Sequence, residues 1–356
     1  MGTVTPTALF PSFESLAANT RIIDGLMMEL GNEPDEYLAG KIVGAVRFPD
    51  GERGNEMGID GRALHGLIAR RALWGSYGTG KKTTVAYGER AVPVEGQDVN
   101  PLEYNGQKYF ASYKIPVETM AEIEEWGVDA MYDLLRIPRE QVLIDRELAW
   151  ANLFATTGNW GTTLVAGKTI SGSGTAHPWD TAASTPVQDI QAVRAAVNKY
   201  GIADTMILGV DAANALVANT AFNGTRPMDV DRAILTDDQL VEIIKARFGF
   251  ANVYIGRAHA ETSRVPTTSA PSAIWGSTVW IGKLDLGESR GTSTGRVSAK
   301  KSALVNVVAQ DLFADVIGPR INGEHDDTYV ARVRMIESLA IPYSQLGGTI
   351  TGILTT

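Results

Sequence analysis

The residues with the strongest claim to chemistry are Gly75-Ser76-Tyr77-Gly78-Thr79-Gly80-Lys81-Lys82. The run is one residue short of a phosphate-binding loop, G-x-x-x-x-G-K-[ST], in which backbone amides cradle phosphates and the last hydroxyl holds magnesium. Lys82 stands where that hydroxyl belongs. A strand should lead into such a loop and a helix should leave it, because the helix N-terminus supplies much of the attraction for phosphate. Before the loop, Ile68-Ala69-Arg70-Arg71-Ala72-Leu73 carries two adjacent arginines. After it, Thr83-Thr84-Val85-Ala86-Tyr87 has the β-branched and aromatic make-up of a strand. A P-loop-like nucleotide-binding enzyme is therefore the weakest reading, and Lys81 and Lys82 are read as a basic loop tip.

Other reactive types are equally isolated. Glu324-His325-Asp326-Asp327 has the residues of a metal site, but neighbours in one loop cannot all turn to one centre. Asn223-Gly224-Thr225 matches a glycosylation acceptor and, with no leader ahead of it, reads as a turn. No G-x-S-x-G occurs before a helix, and His65, His177, His259 and His325 are placed near turns with no serine or aspartate arranged around them. Cysteine is absent, which removes disulfides, thiolate metal sites and cysteine nucleophiles. The sequence thus assigns no catalytic, cofactor-binding or metal-binding residue, implies no cofactor, and is not expected to encode an enzyme.

Composition bounds the rest. The chain has 356 residues, 44% hydrophobic and 21% charged, enough for a sizeable core in about two domains. Its net charge of −9 disfavours a general nucleic-acid binder, which needs positive patches. Met1 to Phe10 lacks a basic and then apolar leader, and no stretch of about 18 apolar residues occurs, so a soluble chain with no membrane partner is expected.

The elements that must position these residues are read from periodicity. Ile22 to Leu30 suggests a short helix in an arm. Pro34 suits the first position of a helical turn over Asp35 to Ala39, and Lys41 to Phe48 reads as a strand. Gly51 to Gly61 is loop. The spacing predicts strands over Thr83–Tyr87 and Tyr109–Val117, paired as a long ribbon, with Gly88 to Gly106 as a polar, turn-rich tip. Met120, Ile123, Gly127 and Leu134 recur at the helical period, with Glu118, Glu122, Glu124 and Glu125 as a solvated face. Pro138 should kink or break that helix. A second run follows over Arg139–Phe154, with Ile144, Leu148 and Ala151 on one face, and Trp126 and Trp150 default to core. If collinear, the two would span about 50 Å. Gly158 to Asp180 reads as a long loop.

From Thr185, helices and strands alternate. Thr185 and Pro186 open a helix with Val187, Ile190, Val193 and Val197 as its stripe, stopped at Tyr200-Gly201. Met206–Leu208 is a buried strand, Asp211 a cap for Ala212–Ala218, and Thr236-Asp237-Asp238-Gln239 a capping box. Asn252–Ile255, Thr278–Ile281, Ser302–Val308 and Tyr329–Met335 are strands; the last places Arg332 and Arg334 on one face. The tail ends in small residues.

An arm, a ribbon, an overlong helix and an inserted α/β lobe are poorly buried in one subunit. The layout resembles the major capsid protein of tailed bacteriophages, with the Hong Kong 97 fold also seen in encapsulins. The resemblance rests on Asp35-Glu36-Tyr37-Leu38-Ala39-Gly40-Lys41-Ile42, Tyr113-Lys114-Ile115-Pro116-Val117 through Leu135, Arg146-Glu147-Leu148-Ala149-Trp150-Ala151, and Ala203 through Leu216. It implies an α+β fold with an N-terminal arm (1–50), an extended loop (51–112), a peripheral domain with a long spine helix (113–185 and 310–356) and an axial domain (186–309). It further implies a subunit that assembles with many copies of itself, as pentamers and hexamers, into an icosahedral virion shell in the host cytoplasm. Scaffold, portal and decoration proteins would be partners, and DNA would be packaged without sequence-specific binding. Subunit-interface candidates are Lys81, Lys82, Arg90, Asn223, Arg226, Arg332 and Arg334. An encapsulin-like nanocompartment is the alternative. The family's lysine–asparagine cross-link has no identifiable pair here.

Overall fold

The structure, a computed structural model, describes residues 37–47, 65–71, 99–125, 130–219, 222, 236–261, 271–285, 289–290, 296–298, 301–317 and 328–355. In chain order its main elements are β1 (Ala45–Arg47), β2 (His65–Arg71), β3 (Val99–Asn105), β4 (Gln107–Pro116), α1 (Val117–Glu125), α2 (Ala130–Ala155) and β5 (Thr162–Val165). There follow α3 (Pro186–Asn198), β6 (Thr205–Gly209), α4 (Val210–Ala218), α5 (Asp237–Phe248), β7 (Asn252–Gly256), β8 (Val279–Gly282), β9 (Val305–Ile317), β10 (Thr328–Ala340) and β11 (Gly347–Thr351). Contacts divide the chain into two units. The first draws its described residues from Gln107–Arg146 and Gln310–Ile336, and the second from Glu36–Gly106, Glu147–Ala309 and Glu337–Thr356.

In the first unit the strand order is β9, β10, β4. Successive side chains of a strand face opposite ways. Accordingly Tyr109 and Ile115 of β4 are buried, while Lys108, Phe110, Ser112 and Lys114 are exposed. Ile115 packs with Met120 of α1, Leu134 and Leu135 of α2, Val316 of β9, and Tyr329 and Ala331 of β10.

Helix α2 runs through Pro138, where the sequence expects a kink or break. Proline offers no N–H to the Leu134 carbonyl, a loss of about 3 kcal/mol in a helix interior. Burial of Leu134, Leu135, Val142 and Leu143 on both sides of it offsets that loss. The buried stripe of the second half also differs from expectation. Ala151 is buried, but Leu148 is 36% exposed and Ile144 half-buried; Glu147, Trp150 and Phe154 lie inside instead.

The second unit holds a five-stranded sheet in the order β5-β11-β8-β6-β7. Strands β6 and β7 pair in parallel from Thr205↔Asn252 to Gly209↔Gly256, β8 runs antiparallel to β6 and β11, and β11 is parallel to β5. Both faces of this sheet are covered. Met206 and Leu208 join Ile190, Val193, Ile244 and Ile281 in one cluster. Ile207 and Trp280 join Leu38, Ile42, Trp150 and Phe154 in another. This two-sided burial is why β6 reads as a continuous apolar run. Two of its strands come from segments read as loop and tail. Strand β5 lies within the Gly158–Asp180 stretch, and β11 is the small-residue C-terminal segment. Small residues fit β11 because Gly347 and Gly348 lie against Trp160, Trp280 and Val193, where a Cβ would come within 2.5–3.0 Å of those side chains.

A third sheet places β3 against β2 in antiparallel register, His65↔Asn105 through Arg71↔Val99, with Arg296–Ser298 parallel on the other side of β2. Among the described residues the antiparallel ribbon is the one that joins β2 to β3. The turn-rich reading of Gly88–Gly106 gives way to a strand over Val99–Asn105; Thr83–Tyr87 lies outside the described residues. Backbone pairing on both edges of β2 outweighs the low strand preference of its adjacent arginines. Strand β1 is shorter than the expected Lys41–Phe48: residues 39–43 form turns and bends, and β1 then pairs in parallel with β9 at Ala45↔Asn306. The capping box of α5 is present, with Thr236 Oγ1 accepting from the Gln239 N–H, and Gly249 closes that helix at φ 66°. Thr185 precedes α3 without a side-chain cap bond, and Gly209, not Asp211, is the N-cap of α4.

Candidate assembly surfaces and their anchors

A buried carboxylate holds residues 38 and 39. Glu147, fully buried on α2, accepts the Leu38 N–H at 2.8 Å through Oε1 and the Ala39 N–H at 2.7 Å through Oε2. The Trp275 Nε1–H donates to the same Oε1. A turn follows, with the Lys41 N–H donating to the Leu38 carbonyl at 2.9 Å. Charge-assisted bonds of this kind are about twice as strong as neutral ones. They hold the backbone of residues 38 and 39 against α2, and Leu38, Ala39, Ile42 and Val43 bury beside them.

Glu337 of β10 repeats the device. Also fully buried, it accepts from Trp150 Nε1 at 2.7 Å and from Asn306 Nδ2 at 3.3 Å. Around these carboxylates the aromatic rings interlock. Phe154 stacks on Trp160 at 5.6 Å and 19°, and meets Trp280 edge-on at 5.0 Å and 77°. Sequence reasoning placed Trp150 in the core but missed both carboxylates. A signal existed for Glu147: Leu143, Glu147, Trp150 and Phe154 share one helical face.

The interface candidates separate into two groups. Lys81, Lys82, Arg90, Asn223 and Arg226 lie outside the described residues, as do Gly75–Lys82 and Glu324–Asp327. The register of β2 with β3 ends at Arg71↔Val99, so segment 72–98, which holds Lys81, Lys82 and Arg90, leaves from and returns to adjacent strands. That a strand, β2, ends only a few residues before Gly75 removes one objection to a phosphate loop; Lys82 in the hydroxyl's place remains. Arg332 and Arg334 are half-buried on β10, and Arg334 lies over the Phe313 ring at 4.7 Å within its own unit.

His65 opens β2 and His259 sits in the short strand His259–Ala260, where the sequence expects turns; His177 lies in a loop, and His325 is outside the described residues. Among the described residues no group of three or more His, Cys, Asp or Glu could hold a metal ion, and no helix is long and apolar enough to cross a membrane.

One cavity of about 450 Å³ opens in the second unit beside Gly167, Lys168, Ile170, Gln188 and Asp189. Asp189 is buried in the first turn of α3. Burial pushes its carboxyl above the usual range, while the Trp179 Nε1–H (2.9 Å) and the Gly167 N–H (3.2 Å) act against that rise. These bonds tie the loop before α3 to the helix. Burial and the nearby charge of Asp204 likewise raise the Tyr254 hydroxyl.

No protein-family model matches the chain, and no curated protein matches it in sequence. Solved structures do match. A phage-related protein from Bordetella bronchiseptica shares the fold over 94% of this chain and 98% of its own, with a TM-score of 0.56 at 13% identity. A structure from Mycobacterium phage Adephagia covers 93% of this chain and 94% of its own, with a TM-score of 0.50 at 11% identity. A capsid structure of the cyanophage P-SCSP1u covers 86% and 85%, with a TM-score of 0.48 at 11% identity. The first two likenesses show the fold: it is the α+β Hong Kong 97-type fold that the sequence layout resembles.

Proposed function

We propose that this chain is the major coat subunit of a tailed phage, assembling as pentamers and hexamers into an icosahedral shell around double-stranded DNA. The observation that carries the reading is a fold shared along nearly the whole chain with a phage-related protein and with a protein of a mycobacterial phage. In this reading residues 186–309 form an axial domain near the capsomer centre, and segment 51–112 reaches over a neighbouring subunit. Lys81, Lys82 and Arg90 would then act in contacts between subunits, as would Asn223, Arg226, Arg332 and Arg334. The chain acts by contact and not by catalysis. Portal, scaffold and decoration proteins are its expected partners, and assembly takes place in the host cytoplasm. The net charge of −9 suits a wall facing packaged DNA, since confinement favours a repulsive surface over an adhesive one.

Negative-stain microscopy with sedimentation of the purified chain tests this. Closed shells built of five- and six-fold rings are expected. A 38.2 kDa monomer that persists at high concentration contradicts the proposal. Shells that enclose a protein cargo and exclude DNA point to the nanocompartment.

A further inference from the structure

Strand β4 ends its sheet, and its outer face is unlike the rest of this acidic chain. The exposed positions Lys108, Phe110, Ser112 and Lys114 carry two positive charges, no negative charge, and an aromatic ring that is 48% exposed. The Lys108 ammonium lies 4.8 Å from the centroid of that ring. Helix α1 follows directly, in the same unit, and its exposed face is of opposite sign. Glu118, Glu122 and Glu125 recur at helical spacing on it. Among the described residues none of these five charged side chains forms an ion pair.

We infer that the two faces are the halves of one contact between copies of this chain: the basic outer face of β4 on one copy docks on the acidic face of α1 on the next. The inference rests on the coat-subunit reading and specifies one of its interfaces. Two patches of opposite sign at different places on one subunit make a heterologous, head-to-tail contact, the type that closes rings. Each copy carries a net charge of −9, so copies repel unless their contact surfaces oppose unlike charges. Phe110 supplies the apolar centre that such a polar-rimmed contact needs. Packaged DNA would engage the lysines but leaves the glutamates without a partner, so a second copy fits both faces. Lysines that served only to keep an edge strand from pairing would tolerate replacement by any other charge.

Charge reversal in the full chain tests this. The variants are Lys108→Glu with Lys114→Glu, Glu118→Lys with Glu122→Lys and Glu125→Lys, and all five together. The five positions are exposed, so each variant should keep its thermal midpoint. Either partial reversal should cut the assembled fraction, measured by sedimentation, by about tenfold, the equivalent of one lost charge-paired contact. The fivefold reversal should restore assembly, because it exchanges the signs of both faces. Wild-type assembly should slow as salt rises from about 0.05 to 0.5 M, where screening shortens. If a reversal fails to fold, the Gln versions of the same sets replace it, with the same loss expected. Folded partial reversals that assemble like wild type overturn the inference but leave the coat reading standing. A fivefold variant that folds but does not assemble overturns it too. A wild-type chain that never assembles overturns the coat reading itself.

Discussion

Replacing Glu147 by Gln changes little in volume and removes one charge. The carboxylate accepts from the Leu38 and Ala39 N–H groups and from the Trp275 indole. A Gln oxygen in the place of Oε1 keeps two of these as neutral bonds. The Ala39 N–H then faces an NH2 group. A buried donor left without an acceptor costs about 1–3 kcal/mol, and each charge-assisted bond made neutral loses about 0.5–1 kcal/mol. The sum is about 2–4 kcal/mol once the easier burial of a neutral amide is counted. At about 2–4 °C per kcal/mol for a unit of this size, the thermal midpoint should fall by roughly 5–15 °C. Calorimetry of the unassembled chain reads that shift. Limited proteolysis reads its location, since residues 38–43 lose their anchor and should be cut first. A midpoint within about 2 °C of wild type, with unchanged cleavage there, would show that apolar burial alone holds the segment.

Two further outcomes are expected. Asp189 has a folded-state carboxyl raised by burial, so its ionisation opposes folding at neutral pH, and that cost is relieved as pH falls through the raised folded value toward the ordinary range. Wild type should therefore gain stability relative to Asp189→Asn as pH is lowered from about 7 to 4, and denaturant titrations showing the reverse trend refute the stated cause. At Gly209 an added Cβ would lie 2.0 Å from the Gly276 carbonyl oxygen and 2.4 Å from that of Trp275, whereas at Gly158 it would meet nothing within 4 Å. Gly209→Ala should yield misfolded or strongly destabilised protein by soluble yield and thermal midpoint, while Gly158→Ala should match wild type.

Periodicity alone located α3, α5, β6, β7, β8 and β10, because each presents a regular apolar face or a short apolar run bounded by turn residues. The capping box of Thr236 and Gln239 was legible for the same reason: its chemistry is confined to four consecutive residues. The ribbon was not. Strand β2 carries adjacent arginines and β3 carries Asn100 and Pro101, so neither looks like a strand until the other pairs with it. Pro138 misled in the opposite direction, since its local cost is real but smaller than the burial around it.

By itself, then, the sequence determined the absence of cysteine chemistry, the acidic balance, and the order of helical and extended segments that resembles a capsid layout. These are properties of composition and of local spacing. Tertiary structure decided which distant segments share a sheet, bringing β5 and β11 beside β6, β7 and β8. It also decided that Glu147 and Glu337, which as isolated residues belong in water, are buried against backbone amides and indoles. Burial of a carboxylate depends on donors 109 residues away for Leu38 and 187 for Trp150; a helical face can place Glu147 inward, but it cannot name those distant donors.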